Sequence, residues 1–197
     1  MSIEVRSDDV VVICGKRRSG KSHFMKELIK GFKRRIIYDL NWEHEDLGLV
    51  VRSTKVLREG WKSGINHVVY QPINTDESDF EKFIETVWTF HDVCLIIEEL
   101  EKYAKPHHMP RALKHLVDVG RHHGIGLVCT ARRISMLSAD IPFNADHIFV
   151  FKVHRPQDLD LLRQWVGDEI YKIRDAPEYS FVHYDDRAGT TCLMQKI

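Results

Sequence analysis

The sequence contains few cysteines and no long hydrophobic run. Its four cysteines, Cys14, Cys94, Cys129 and Cys192, form no CxxC pair, and three of them lie inside apolar runs. They are therefore predicted to be small buried side chains in a reducing compartment, which excludes a disulfide framework. No run approaches the roughly 20 apolar residues that span a bilayer, and the polar start MSIEVRSDD lacks the apolar stretch of a signal peptide. We expect a soluble, cytoplasmic protein without a membrane span.

The sequence also lacks an excess of charge of either sign. Its 29 basic and 29 acidic residues give a formal net charge of zero, so the chain as a whole is not a polycation. Contact with nucleic acid would then need a local patch or an assembled surface. Hydrophobic residues make up 43% of the 197 residues, which is typical of a globular protein with one well-packed domain. We expect residues 1–197 to form that single domain.

Short apolar runs rich in β-formers alternate with helical patterns along the chain. This alternation predicts an α/β fold in which a mostly parallel sheet is covered by helices on both faces. The segments Ser180–Asp185 and Thr190–Gln195 flank a turn-like DRAG and predict a C-terminal β-hairpin, and Ser78 with Glu81 fits a helix capping box. The predicted strands are Val10–Cys14, Arg35–Asp39, His67–Gln71, Val93–Glu98, Gly126–Thr130 and His147–Val153. The predicted helices are Lys21–Phe32, Ser78–Phe90, Pro110–His122 and Pro156–Val166.

The segment GKRRSGKS, from Gly15 to Ser22, fits the pattern G-x-x-x-x-G-K-[ST] at every fixed position and lies between a predicted buried strand and a helix. Glycines let the backbone wrap closely around phosphate groups, and successive N–H groups with the helix N-terminus provide positive potential. Lys21 is expected to reach the β- and γ-phosphates, and the Ser22 hydroxyl to ligate Mg²⁺. The sequence therefore predicts a P-loop NTPase that binds ATP with Mg²⁺. The predicted nucleotide contacts are Gly15, Lys16, Arg17, Arg18, Ser19, Gly20, Lys21, Ser22 and His23.

The apolar strand VCLII ends in two carboxylates, Glu98 and Glu99. In P-loop enzymes a second strand beside the first delivers an acidic residue to the Mg²⁺ site, and a neighbouring carboxylate orients the attacking water. We assign Glu98 to the metal, through a water ligand, and Glu99 to water activation. Adjacent strand residues point to opposite faces of a sheet, so both can serve only if the backbone turns at this point. A solvated strand terminus is the alternative interpretation.

Six segments, taken in order, resemble the motifs of the HerA/FtsK superfamily of ring-forming, DNA-pumping ATPases, and more narrowly the small genome-packaging ATPases of membrane-containing and large DNA viruses. They are GKRRSGKS, IIYDLNWE, VVYQP, LIIEE, GRHHGIGLVCTARR and IPFNADHIFVFK, within residues 10–155. The resemblance implies an additional-strand, RecA-like ATPase domain. It also implies a homo-oligomeric ring, pentameric or hexameric, that moves double-stranded DNA into a preformed capsid in the host cytoplasm or on the virion, with capsid or portal-vertex proteins as partners.

The resemblance further assigns a catalytic role to Arg121. This residue falls where the family places an arginine that reaches the nucleotide of a neighbouring subunit and offsets charge on the transferred phosphoryl group. A plain cation at a helix C-terminus, favoured by the helix dipole, is the alternative interpretation.

The sequence departs from the family pattern at two positions. At the strand-end sensor position, directly after Thr130, the family usually has Gln. This sequence has Ala131 there, followed by Arg132 and Arg133. Either γ-phosphate sensing is lost or one of these arginines has taken it over, unless both are solvated loop charges. The second departure is Glu98, where many relatives have Asp, and the longer side chain is tolerable if it contacts the metal through water.

Two other classes of function share the phosphate loop. A nucleoside or metabolite kinase is similar in size to this chain, but such kinases carry an arginine-rich lid segment, which the sequence does not show. The paired glutamates also suit the activation of water better than the transfer of a phosphoryl group to a metabolite. A membrane-associated assembly ATPase of filamentous viruses usually carries a transmembrane segment, which is not evident here. Asp39, at the end of a predicted strand, either assists Mg²⁺ or water or has a structural role.

Overall fold

Residues 3–194 are described by the computed structural model of the chain, and they form a nine-stranded sheet with helices packed against it. The strands are β1 (Val10–Cys14), β2 (Arg35–Tyr38), β3 (Leu49–Val51), β4 (His67–Tyr70), β5 (Val93–Ile97), β6 (Ile125–Ala131), β7 (His147–Val150), β8 (Phe181–Asp185) and β9 (Thr190–Met194). The helices are α1 (Lys21–Ile29), α2 (Thr54–Lys62), α3 (Glu77–Val87), α4 (Arg111–Val119), α5 (Asp140–Phe143) and α6 (Pro156–Val166).

The strand order across the sheet is β3-β4-β2-β5-β6-β1-β7-β8-β9. Strands β1 to β7 pair in parallel, whereas β8 and β9 add to β7 as an antiparallel hairpin. The predicted mostly parallel sheet and C-terminal hairpin are thus confirmed. The last residue of the predicted second hairpin strand, Gln195, lies outside the described residues.

Helices cover both faces of the sheet because its central strands are apolar throughout. Along β1, Val10 and Val12 belong to one core cluster, while Val11 and Ile13 belong to another. Side chains of α2, α3, α4 and α6 fill the first cluster, and Phe24 and Met25 of α1 fill the second. Each buried aliphatic side chain stabilises the fold by about 1.5–3 kcal/mol, so the two-sided burial holds the central strands firmly at the base of the site. Cys14, Cys94 and Cys129 are buried, as predicted, whereas Cys192 on the edge strand β9 is only partly buried, so the prediction is wrong for this residue.

Strand β6 lies between β1 and β5. This is the extra strand of the additional-strand architecture, and its register pairs Cys14 with Ala131 and Ile97 with Cys129. The expected additional-strand architecture is therefore confirmed, and the acidic strand lies one strand away from the phosphate-loop strand rather than directly beside it. Since the three strands are parallel, their carboxyl ends still open at one edge of the sheet.

The predicted elements are confirmed with shifts of a few residues at their ends, and three elements were missed, among them the four-residue helix α5. Strand β3 and helix α2 occupy the stretch between Asp39 and His67, where no element was predicted. Strand β3 has three residues, and only Leu57 and Trp61 of α2 are buried, so neither element produces a long apolar pattern. The capping box at Ser78 is also wrong. Asp76 caps α3 instead, because its side chain accepts from the Asp79 N–H.

Among the described residues, no helix is both long and apolar enough to cross a bilayer.

Candidate active site

The phosphate loop is anchored to the strands on either side of β1. The Gly15 N–H donates to the Ala131 carbonyl at 3.2 Å, and the Lys16 N–H donates to the Lys152 carbonyl at 2.9 Å. Gly15 has φ of +146°, and a Cβ placed there would lie 2.8 Å from the Phe151 Cβ. Glycine is therefore required at this position by both conformation and space. The loop ends where α1 begins at Lys21, so the N-terminus of this helix faces the site.

Lys21 lies across the loop and is 8% exposed. Its ammonium donates to the Lys16 carbonyl at 2.9 Å. Burial lowers the pKa of Lys21 from its ordinary value, although nearby acidic groups oppose the shift. The side chain thus places one cation inside the curve of the loop, where phosphate oxygens would be its partners.

Glu98 follows β5 and points to the same edge of the sheet. Its Oε2 atom lies 2.9 Å from the His44 Nε2 atom, and its Oε1 atom is buried without a hydrogen-bond partner among residues 3–194. Burial would raise the pKa of Glu98, but the hydrogen bond with His44, the nearby Ser22 hydroxyl and the charge of Lys21 outweigh it, and the pKa is lowered. An ionised carboxylate can only accept hydrogen bonds, so the His44 Nε2–H is the donor. The result is an anionic oxygen beside the Ser22 hydroxyl.

Glu99 lies at a turn of the backbone. Its φ of 54° and ψ of 46° are left-handed, and its N–H donates to the Thr130 Oγ1 at 3.0 Å. The turn meets the condition under which two consecutive glutamates can face one site, which an extended strand would forbid. The Glu99 carboxylate forms an ion pair with the Arg132 guanidinium.

These side chains line one cavity of about 160 Å³ at the carboxyl edge of β1, β5 and β6. Among the predicted nucleotide contacts, Lys16 lies 2.9 Å from the His154 ring, and the exposed His23 follows Ser22 on α1. Neither residue lines the cavity, and the predicted contacts Gly15, Ser19 and Gly20 do not line it either. The lining residues are Arg17, Arg18, Lys21, Ser22, Asn41, Glu43, Glu98, Glu99, Thr130 and Arg132.

Asp39 and His44 form a support behind Glu98. Asp39 is 2% exposed, and its carboxylate accepts from the Glu43 and His44 N–H groups at 2.9 and 3.1 Å and from the Gln71 side chain at 3.2 Å. It is therefore engaged in holding the loop, which matches the structural alternative for Asp39. His44 was missed by the sequence analysis, because no motif connects it to Glu98, which is 54 positions away in the chain.

Arg121 is not brought to this cavity. It lies in a 3₁₀ turn, Gly120–His123, which precedes β6, whereas the phosphate loop follows β1. Because β1 and β6 are parallel, the two features lie at opposite edges of the sheet. Arg121 is exposed, and within residues 3–194 its guanidinium makes no hydrogen bond or ion pair. Its position close after α4 also fits the alternative of a helix-terminal cation.

Solved structures from viruses and a bacterium share this fold, among them B204 of two viruses and VirB4. The genome-packaging NTPase B204 of Sulfolobus turreted icosahedral virus 2, in complex with ATPγS, is similar with a TM-score of 0.86 and 24% identity, over 98% of this chain and 100% of that one. B204 of Sulfolobus turreted icosahedral virus, a DNA-packaging ATPase, is similar with a TM-score of 0.80 and 25% identity, over 98% and 100%. VirB4 of Thermoanaerobacter pseudethanolicus is similar with a TM-score of 0.65 and 10% identity, over 98% and 90%.

No family model and no curated protein matches the sequence. The structural similarities nevertheless confirm, at the level of the fold, the resemblance to small viral genome-packaging ATPases. The chain has the P-loop ATPase fold of B204 over nearly its whole length.

Proposed function

We propose that this chain is an ATPase that hydrolyses Mg·ATP and uses the energy to move double-stranded DNA, as the genome-packaging motor of a DNA virus. The observation that carries the proposal is the single cavity in which Lys21, Ser22, Glu98 and Glu99 meet, on a fold shared with a packaging NTPase. In this proposal residues 1–197 are one ATPase domain. The domain works as a pentameric or hexameric ring in the host cytoplasm, against capsid or portal-vertex proteins.

The residues at the cavity fit a magnesium ion. Mg²⁺ prefers oxygen ligands and keeps several waters. The buried Glu98 Oε1 has no hydrogen-bond partner in the described part of the chain, and the Ser22 side chain lines the same cavity as the carboxylate. We assign the ion to Ser22 and, through water, to Glu98. When bound, Mg²⁺ would neutralise charge on the β- and γ-phosphates.

The side chains and N–H groups of the cavity then have separate roles in hydrolysis. The N–H groups of the phosphate loop and the Lys21 ammonium bind the phosphates and hold the γ-phosphorus in place. Glu99 orients a water and accepts its proton as the water oxygen bonds to the γ-phosphorus and the bond to the bridging oxygen of ADP breaks. The products are ADP and inorganic phosphate, and the proton passes from Glu99 to solvent.

His44 is expected to set the affinity for the metal. In His44→Ala the Glu98 carboxylate loses its buried donor, and loss of such an outer partner typically lowers metal affinity about 10–100-fold. The measurement is titration of the protein–ADP complex with Mn²⁺ by electron paramagnetic resonance, which does not depend on turnover, together with the Mg²⁺ concentration that gives half-maximal hydrolysis. His44→Gln retains an N–H donor and should recover part of the loss.

A matched control comes from a second histidine–glutamate pair. His108 lies 2.7 Å from Glu77 at the exposed surface, so His108→Ala removes a similar contact away from the cavity. We expect no change in Mn²⁺ affinity for this variant. Equal Mn²⁺ affinity in His44→Ala and the unmodified chain would contradict the role of His44.

The motor proposal is tested by steady-state ATP hydrolysis with and without double-stranded DNA, over a range of protein concentrations. We expect DNA to raise the rate, and the rate to rise more than linearly with protein concentration, because each site needs a neighbour to be complete. A hydrolysis rate that is proportional to protein concentration and unchanged by DNA would contradict the motor proposal. Transfer of phosphate to an added nucleoside would favour the kinase, and DNA-independent hydrolysis without such transfer would favour a non-motor assembly ATPase.

A further inference from the structure

Arg132 and Arg133 follow β6 but have different surroundings. The Arg132 side chain lines the cavity with Lys21 and Ser22. The Arg133 side chain lies 3.3 Å from the Asp158 carboxylate and 3.2 Å from the Ser135 hydroxyl, and it does not line the cavity. Only Arg132 is therefore placed where it can meet a nucleotide in the same subunit.

The backbone of Arg132 is held while its side chain is free to change partner. Its N–H donates to the Glu101 Oε1 at 2.9 Å, which ties the end of β6 to the turn after β5. Its side chain is 48% exposed, compared with 20% for Glu99, its partner in the ion pair. Ion pairs with such exposure contribute little to stability, so the guanidinium can leave the carboxylate at low cost.

Arg132 forms its ion pair with Glu99, whose carboxylate is proposed to activate water. The Glu99 Oε1 atom accepts from the guanidinium, so at least one of the two carboxylate oxygens is held by Arg132 and is not directed at an attacking water. A γ-phosphate in the same cavity would be a strong competing partner, because it offers several charged oxygens to the planar guanidinium fork. ADP has no γ-phosphate and would leave Arg132 on Glu99.

We propose that Arg132 is the γ-phosphate sensor of this site, and that its transfer from Glu99 to the γ-phosphate frees Glu99 to activate water. This inference rests on the proposed ATPase function and names the residue that replaces the family's usual sensor glutamine. In this proposal, a subunit can activate water only when its bound nucleotide carries a γ-phosphate. Hydrolysis then removes the phosphate, and Arg132 returns to Glu99.

The test compares the binding of ATPγS and ADP by Arg132→Ala, with Arg133→Ala as the matched control. A hydrogen bond to a charged group is worth enough to change affinity about 10–100-fold, so Arg132→Ala should weaken ATPγS binding by that factor and leave ADP binding within about twofold. The kcat for ATP should fall by a similar factor, and Arg132→Lys should restore part of the ATPγS affinity. Arg133→Ala should leave both affinities unchanged.

A double-mutant cycle tests whether Glu99 and the γ-phosphate compete for Arg132, as opposed to a general effect of removing one charge from the cavity. Glu99→Gln removes the competing carboxylate and should tighten ATPγS binding, and this gain should vanish when Arg132→Ala is also present. Equal weakening of ATPγS and ADP binding in Arg132→Ala, or unchanged ATPγS affinity with a raised kcat, would overturn the sensor. If the unmodified chain binds neither nucleotide, the proposed ATPase function itself fails.

Discussion

Glu99→Gln is expected to lower the kcat for ATP by about 10²–10⁴-fold, the range that a positioned general base contributes. Glutamine has nearly the same size and can hold a water by hydrogen bonding, but it cannot accept the water's proton. The left-handed backbone at Glu99 places the side chain in the cavity, so the loss falls on the chemical step. Single-turnover hydrolysis measures that step directly, and ATPγS binding shows that the site remains intact.

The control for this variant is Glu85→Gln, the same change at an exposed position of α3 outside the cavity. We expect Glu85→Gln to hydrolyse ATP at the unmodified rate. A Glu99→Gln protein that retains most of its single-turnover rate would refute the assignment of Glu99 to water activation. Glu98→Gln with a larger loss would then point to Glu98 as the base.

Arg121→Ala is expected to lower DNA-stimulated kcat by about 10³-fold or more, which is the contribution of an arginine supplied across an interface in phosphoryl transfer. Arg121 lies at the opposite edge of the sheet from the phosphate loop of its own subunit. In the proposed ring, its guanidinium would therefore reach a γ-phosphate only in a neighbouring subunit. Binding of ATPγS by a single subunit should not change, so the measurement pairs this affinity with the hydrolysis rate of the assembled protein.

Mixing two inactive variants shows whether the arginine acts between subunits. Lys21→Ala lacks the phosphate-binding ammonium, and Arg121→Ala lacks the supplied cation, yet an interface between the two variants can combine an intact Lys21 with an intact Arg121. We expect the mixture to recover part of the activity that each variant lacks alone. His122→Ala, at the next exposed position, should be fully active. If the mixture assembles normally but recovers no ATPase activity, the proposal that Arg121 acts on the nucleotide of a neighbouring subunit is contradicted.

Much of the site was predictable because its residues belong to motifs that are local in the chain. The spacing of Gly15, Gly20, Lys21 and Ser22 predicts the loop, and the structure begins α1 at Lys21. The paired glutamates were predictable as a strand end, although only the backbone torsions at Glu99 show that both carboxylates can face one cavity. His44 was not predictable, since a loop histidine carries no periodicity or spacing that relates it to Glu98.

The sequence by itself determined the fold class, the phosphate loop and the C-terminal hairpin, because apolar runs, glycine spacing and turn residues act on neighbours along the chain. The resemblance implied an additional strand, but only the tertiary structure decided that β6 is this strand, that His44 supports Glu98, and that Arg132 rather than Arg133 enters the cavity. Strand order and these contacts depend on the pairing and packing of segments that are far apart in the chain. Such interactions are selected by the whole core, and a local pattern does not encode them.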